Sequence, residues 1–323
     1  MIKKMLLLIP VVAMAGCAQP TDAADITFDW PLDCTLGETC WIARYVDRGE
    51  DKSVADYMCK HRSQDKHRGT DIMVSDTGVL ASGVPILAVA PGKILRMRDG
   101  VDDGAPYKKG EDCGNAYVIQ HENGYTSQYC HLKNASLSKN IGDTVRAGEQ
   151  IALMGLSGQT EYPHLHIGIR KNGTLLDPFD GGGYEQACSG SSETSLWRDH
   201  PDYAPFTLLP PKFSVAPEPR ENRWAAQAES ISPDASALIL TGRAFGASRG
   251  DVWSFRITDP DGKLFAEHQV ATEKTQQFRS QFFGKRAPAG GFKPGIWTGT
   301  ISLEQDGYRQ TQTVQILVSS ATK

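Results

Sequence analysis

The residues best suited to chemistry are histidines one position apart, and a histidine four positions from a carboxylate. In His164-Leu165-His166-Ile167-Gly168-Ile169 the apolar residues alternate with the rest. Alternation at period two is a strand signal, and it puts His164 and His166 on one face, with Cα atoms about 6–7 Å apart. One imidazole can then bind a metal while the other stands over the metal's open coordination position. Leu165, Ile167 and Ile169 take the opposite face and anchor the strand, and Gly168 leaves room for a ligand across the histidine face. His67-x-x-x-Asp71 could share a helix face, but Gly69, Thr70 and the following Ile72-x-Val74 favour a bend entering a strand. Fully extended, that pair would lie about 13 Å apart, so the backbone must curl at Gly69 for both to reach one ion. His131 closes the run Tyr125-Thr126-Ser127-Gln128-Tyr129-Cys130-His131-Leu132, which follows the hairpin signal Asn123-Gly124. Alternation places Tyr125, Ser127, Tyr129 and His131 on one face.

The elements around these residues read as almost all β. Two strands flank the turn Pro91-Gly92, a polar insertion from Asp99 to Asp112 reads as a surface loop, and Cys113 to His121 is a further strand. Residues 141–156 are short strands broken by Gly turns, leading into the Gly-rich run Gly155-Leu156-Ser157-Gly158. Residues 29–66 read as an irregular, disulfide-pinned segment. Beyond Pro210-Pro211 the composition shifts and cysteines stop. Strand-like runs then recur at 237–240, 252–257, 276–283, 296–303 and 311–318, with turns at Asp259-Pro260-Asp261-Gly262 and Asp306-Gly307. Trp253, Phe255 and Ile257 share a face, as do Trp297, Gly299 and Ile301. The pattern predicts an antiparallel β-sandwich of immunoglobulin-like type over residues 206–323, without a metal or nucleophile constellation.

The chain has 323 residues, about two domains' worth, and 40% hydrophobic content, enough to build real cores. A net charge of -4 without a basic block argues against nucleic acid as a partner. Lys3 and Lys4 precede an apolar run, Met5 to Ala13, too short to remain as a membrane span. The run ends in Met14-Ala15-Gly16-Cys17, which resembles the lipobox of bacterial lipoproteins, with Met14 where Leu is usual. That resemblance implies a signal peptide over 1–17, lipidation of Cys17 and a tether over 18–28. With Ala18 rather than Asp next, it also implies sorting to the periplasmic face of a Gram-negative outer membrane. An ordinary secretory signal cleaved nearby is the other reading. Besides Cys17, the six cysteines Cys34, Cys40, Cys59, Cys113, Cys130 and Cys188 are an even set suited to an oxidising compartment. They allow 15 pairings, among which sequence does not choose. Local bridges Cys34–Cys40 and Cys113–Cys130 would leave Cys59–Cys188. A zinc-thiolate site competes, but no Cys-x-x-Cys pair occurs.

Together, His67-x-x-x-Asp71, Tyr129-Cys130-His131-Leu132, Gly142-Asp143-x-Val145-x-x-Gly148, Gly155-Leu156-Ser157-Gly158 and His164-Leu165-His166 resemble, in order, the lysostaphin-type (LytM-like) zinc metallopeptidases. The likeness covers roughly residues 60–180. It implies a mainly β fold, an antiparallel LytM-like peptidase domain with the duplicated hybrid motif over 29–205. It implies Zn2+ held by His67, Asp71 and His166, with His131 and His164 as the catalytic pair. Lys66 stands where the family often has Gly. The implied substrate is the peptide crosslinks of peptidoglycan, with D-alanyl–diaminopimelate bonds favoured over polyglycine bridges, and the implied partners extend to a regulatory envelope protein. The chemistry is coherent without the family name. Two imidazoles and a carboxylate leave a tetrahedral zinc one open position, and with no His-Glu-x-x-His glutamate, His131 and His164 must serve as base and charge stabiliser. Any one of these histidines alone would be an ordinary polar side chain; it is the ordered set that carries the reading. His61, His121, His200 and His268 fall outside it, and Asp65 and Asp76 read as solvated loop charges. The competing functions are a non-catalytic LytM-type scaffold or amidase activator, and a binding module with a purely structural metal.

Overall fold

A computed structural model of the chain describes residues 26–50 and 52–319. The expected signal peptide, Cys17 and most of the tether lie outside these residues. The first half is built from β1 (Trp41–Arg44), β2 (Thr70–Met73), β3 (Pro85–Leu87), β4 (Gly92–Arg98), β5 (Asn115–Gln120), β6 (Tyr125–Leu132), β7 (Thr144–Val145), β8 (Gln150–Leu153), β9 (His164–Lys171) and β10 (Thr174–Leu176). One eight-stranded sheet runs β1-β2-β9-β6-β5-β4-β7, with β10 paired to the second half of β9, while β3 and β8 form a two-stranded sheet. Residues alternating along the central strands (Ile72, Leu165, Ile167, Ile169, Tyr129, Ile119 and Ile94) all enter one core with Ile86 and Ile151 from the small sheet. Each such side chain contributes about 1.5–3 kcal/mol on burial, so the strands cannot rotate, and their other face is fixed toward the site.

Residues 29–66, expected to be irregular, contribute β1, which pairs with β2 through Trp41↔Met73 and Arg44↔Asp71. Four residues interrupted by a register shift are too few to announce a period in sequence. The run after Val74 also departs from expectation, because Asp76 is no free loop charge. It caps the short helix α1 (Thr77–Ala81), accepting hydrogen bonds from the Gly78 and Val79 amides. Among the described residues three disulfides form, Cys34–Cys40, Cys113–Cys130 and Cys59–Cys188. The last spans 129 residues, a loop long enough for cross-linking to stabilise by on the order of 4–5 kcal/mol.

The second half holds β11 (Thr207–Leu208), β12 (Lys212–Ser214), β13 (Ser230–Ile231), β14 (Ala237–Ala247), β15 (Val252–Thr258), β16 (Leu264–Ala271), β17 (Gln276–Arg286), β18 (Gly295–Gln305) and β19 (Tyr308–Val318). One sheet has β14 between β17 on one side and β11 and β12 on the other; the second runs β13-β19-β18-β15-β16. Leu238, Leu240, Trp253, Phe255, Ile257, Trp297 and Ile301 form a shared core. Strand β14 is buried along nearly its whole length. Its Phe245 leaves that core for a separate cluster with Trp41, Ala43, Met73 and Tyr162 of the first half, and with Leu209 and Trp224. Arg243, on the same strand, donates to the carbonyls of Ser75, Arg223 and Pro210. No helix among the described residues is long and apolar enough to cross a membrane.

One buried acid gives the fold a pH dependence. Asp177 accepts a hydrogen bond from the Phe179 amide at 3.0 Å, its Oδ2 has no hydrogen-bond partner among the described residues, and burial pushes its pKa up to about 8. The folded chain therefore holds this proton through neutrality, while the unfolded chain releases it near 4. Stability from this group is fully present below about pH 4 and is lost as pH rises through about 8. Asp177→Asn removes the slope. In urea titrations the stability of the variant relative to wild type should rise between pH 5 and pH 8 by up to about 4 kcal/mol; an unchanged difference would mean that the carboxyl is ionised throughout.

Candidate active site

Strand register builds the site. In the β2–β9 pair Asp71 stands directly opposite His166 and Met73 opposite His164; in the β6–β9 pair Cys130 stands opposite His166. Residues directly opposite share a face, so Arg44, Asp71, His166 and Cys130 form one row across four strands, beside the row Trp41, Met73, His164. His67 enters from the loop before β2. The backbone curl that brings it in lies at Lys66, whose φ is +61°, in the left-handed region natural to Gly. Gly69, to which the sequence assigned the curl, matters for another reason. A Cβ there would lie 2.5 Å from His166 Nε2 and 2.6 Å from the Ile167 carbonyl oxygen.

Three donor atoms converge. His67 Nε2 and His166 Nδ1 each lie 2.9 Å from Asp71 Oδ1, and 3.2 Å from one another. A tetrahedral zinc with arms of about 2.0–2.1 Å has donor–donor edges of about 3.3–3.4 Å, so the set fits such an ion with slight expansion. His67 Nδ1 lies 2.7 Å from the Tyr45 carbonyl oxygen and donates to it, which leaves Nε2 with its lone pair facing the site. Burial lowers the pKa of His166, favouring the neutral imidazole that a metal requires. Burial also opposes the Asp71 carboxylate, but the surrounding histidines outweigh it and hold the acid well below its usual range.

His131 and His164 face each other across the same groove, ring centroids 4.7 Å apart. Strict alternation does not hold at His131. Between Asn115↔Leu132 and Tyr117↔Tyr129, β6 carries one residue more than β5. At this bulge His131 adopts φ +61°. The extra residue turns its ring away from the core face of Tyr125, Ser127 and Tyr129 and into the groove. The Cys113–Cys130 disulfide ties the two strands together beside the bulge. The left-handed backbone is pinned on both sides, by His131 N–H to the Cys113 carbonyl and by Gly155 N–H to the His131 carbonyl, each at 2.8 Å. The ring donates from Nδ1 to the Ser157 carbonyl oxygen at 2.9 Å, so the Gly155–Gly158 stretch serves to orient this histidine. His164 donates from Nδ1 to the Tyr162 carbonyl oxygen at 2.8 Å, and its Nε2 is 3.5 Å from Asp71 Oδ1. Burial, with His164 and His166 nearby, pushes His131 down to about 3; burial pushes His164 down to about 4. Both rings are then neutral at pH 7, and with Nδ1 as the donor each Nε2 carries the lone pair.

The groove holds about 680 Å³ and is lined by all five residues together with Arg44, Lys66, Arg68 and Arg170. Among the described residues no carboxylate pairs with Arg68 or Arg170; Arg170 donates to Gln128 and Arg68 lies over the Tyr184 ring. The histidines set aside by the sequence stay outside the groove. His121 is satisfied by the Pro91 carbonyl and Ser127, and His200 hydrogen-bonds Ser195. Two groove residues carried no sequence signal. Tyr162 donates its OH to Asp71 Oδ2 at 2.7 Å, and Arg44 Nη1 lies 3.6 Å from the same oxygen. Tyr162 is visible only as an aromatic residue two positions before His164, and Arg44 belongs to no motif.

Residues 65–178 match the family model of Peptidase family M23, so the chain carries a domain of that family. Peptidoglycan DD-endopeptidase ShyB of Vibrio cholerae is 32% identical over 103 residues, covering 32% of this chain and 20% of that protein. DD-carboxypeptidase/endopeptidase Mpg of Neisseria meningitidis is 34% identical over 99 residues, covering 31% and 22%. The uncharacterized lipoprotein YgeR of Escherichia coli is 28% identical over 149 residues, covering 46% and 48%. The chain thus spans less than half the length of these curated relatives. Among solved structures, the catalytic domain of lysostaphin from Staphylococcus simulans is similar at 25% identity and a TM-score of 0.27, over 35% of this chain and 76% of that one.

The contact at Gly69 generates a test of the three-donor geometry. Gly69→Ala should drive the His166 ring from its place and weaken divalent-metal binding by at least about tenfold. Equilibrium dialysis with zinc reads this directly, and unchanged affinity would show that the ring has room to spare.

Proposed function

We propose that the groove is the active site of a zinc-dependent endopeptidase that hydrolyses peptide crosslinks of bacterial peptidoglycan. The enzyme would act from a lipid anchor at Cys17 on the periplasmic face of the outer membrane, with residues 29–205 as the peptidase unit and 206–323 as a β-sandwich unit. The observation that carries the reading is the convergence of His67 Nε2, Asp71 Oδ1 and His166 Nδ1 beside the two buried imidazoles of His131 and His164, whose Nδ1 atoms are held by backbone carbonyls. Those three atoms would hold the ion. Zinc bound there supplies Lewis acidity, bringing water toward a pKa of about 7 and polarising the scissile carbonyl.

His131 and His164 do the rest as a pair. With each Nδ1–H committed to a fixed carbonyl oxygen, either Nε2 can take the proton of the attacking water and hand it to the departing amine nitrogen. The other imidazole, its ring centroid 4.7 Å away, can share that proton at its own Nε2 and so donate to the developing oxyanion. Water oxygen bonds to the carbonyl carbon, the C–N bond breaks, and the proton ends on the amine. Arg68 and Arg170, without a carboxylate partner among the described residues, suit a substrate whose peptide stems carry free carboxylates. The DD-endopeptidase relatives support the same substrate class.

Purified soluble protein, lacking the lipid, should release crosslink-derived muropeptides from sacculi. Release should stop with chelator and return with zinc. His131→Ala and His164→Ala should each lower the rate by about 10²–10⁴-fold. Metal binding with no release by any form would favour a scaffold or amidase activator instead.

A further inference from the structure

The two oxygens of Asp71 have different partners. Oδ1 faces His67, His166 and His164, whereas Oδ2 turns away and accepts the Tyr162 hydroxyl at 2.7 Å. Tyr162 also touches the other half of the site. Its carbonyl oxygen receives the His164 Nδ1–H, and its ring stacks on the His164 ring with centroids 4.3 Å apart and planes 25° apart. One residue thus contacts both the carboxylate and one of the two proton-handling imidazoles. Tyr162 precedes β9, so the sheet's hydrogen bonds do not set its ring.

Partners outside that sheet set it. The Tyr162 ring lies 5.4 Å from both Trp224 and Phe245, the latter on β14. Trp224 in turn lies under the Arg243 guanidinium and against Phe278. The Arg44 guanidinium sits 5.3 Å from the Tyr162 ring and 5.9 Å from the Phe245 ring. Trp41, Ala43 and Met73 close the cluster from the peptidase sheet. Tyr162 is buried in this box, with its hydroxyl as the polar tip pointing at Asp71.

We infer that Tyr162 is the positioning residue of the active site, and that the C-terminal sheets belong to the site's support because Trp224 and Phe245 hold Tyr162 against Asp71 and His164. The inference rests on the zinc reading above and adds to it a role for residues 206–323. An occupied Oδ2 leaves the carboxylate only Oδ1 to offer an ion, which preserves a three-donor set with an open position. Partners that orient a ligand in this way are typically worth 10–100-fold in metal affinity. The same contacts fix the tautomer and tilt of His164, so a displaced Tyr162 loosens both functions together.

The test uses the full soluble chain and reads zinc affinity by competition with a chromogenic chelator. Tyr162→Phe keeps the ring and its box but deletes the hydroxyl. It should bind zinc about 10–100-fold more weakly, while its melting temperature in excess chelator stays close to wild type. Trp224→Leu touches no donor atom, yet should also weaken zinc binding, and should weaken it much less when Tyr162 is already Phe, because the two act through one contact. Tyr162→Phe binding zinc within about twofold of wild type, or Trp224→Leu causing the same loss in both backgrounds, would overturn the inference. His67→Ala separates the two levels of the argument. Loss of zinc in His67→Ala without loss in Tyr162→Phe defeats only the role of Tyr162. Zinc binding that is absent from wild type, or unaffected by His67→Ala, defeats the zinc reading and this inference with it.

Discussion

The pairing of β2 with β9 is the constraint on which the site depends. Asp71 and His166 are directly opposed, and Ile72 and Leu165 are directly opposed one step along on the other face. The same register that buries the two aliphatic residues therefore brings carboxylate and imidazole together. A slip of β2 by one residue would turn Asp71 into the core and Ile72 out to the groove, away from a His166 that stayed in place. Burial of the aliphatic face pins the polar one, so the donors are set in place by the core beneath them. His67 and His131 are then added at places where the backbone leaves regular geometry. These are the left-handed Lys66 just before His67 and the left-handed bulge at His131 itself.

Those two departures are held by hydrogen bonds. Lys66 N–H donates to the buried Asp47 carboxylate, and the His131 backbone is bonded on both sides. A left-handed L-residue costs about 1–2 kcal/mol, and each cost is met where a functional ring has to be aimed. The C-terminal sheets extend the same principle. On the outer face of β14, Phe245 packs against Trp41, Met73 and Tyr162 of the first half and Arg243 reaches the Ser75, Arg223 and Pro210 carbonyls, which is why β14 is buried on both faces.

How far the sequence revealed this depended on the physical signal each part carries. The strand nature of β9 and the shared face of His164 and His166 followed from period-two alternation in a buried strand. The core strands of the C-terminal half were legible for the same reason, through Trp253, Phe255 and Ile257. The face of His131 was misread, because one inserted residue reverses everything after it and leaves no mark in composition. β1 was missed because it is four residues long, α1 because a five-residue helix has no period to show, and β16 because only one of its eight residues is buried. Tyr162 and Arg44 could not have been found by spacing, since their partners are 91 and 27 positions away. Contacts made between distant strands are set by tertiary packing, and local pattern does not encode them.

The central claim is that two imidazole nitrogens and one carboxylate oxygen close on a single zinc ion and leave it a vacant position. X-ray absorption at the zinc edge, on protein loaded with one equivalent, tests this most directly. The account predicts a shell of nitrogen and oxygen scatterers at about 2.0–2.1 Å, with the outer-ring signature of two histidines and no sulfur. A sulfur shell near 2.3 Å, or the spectrum of hydrated zinc without imidazole, would contradict it.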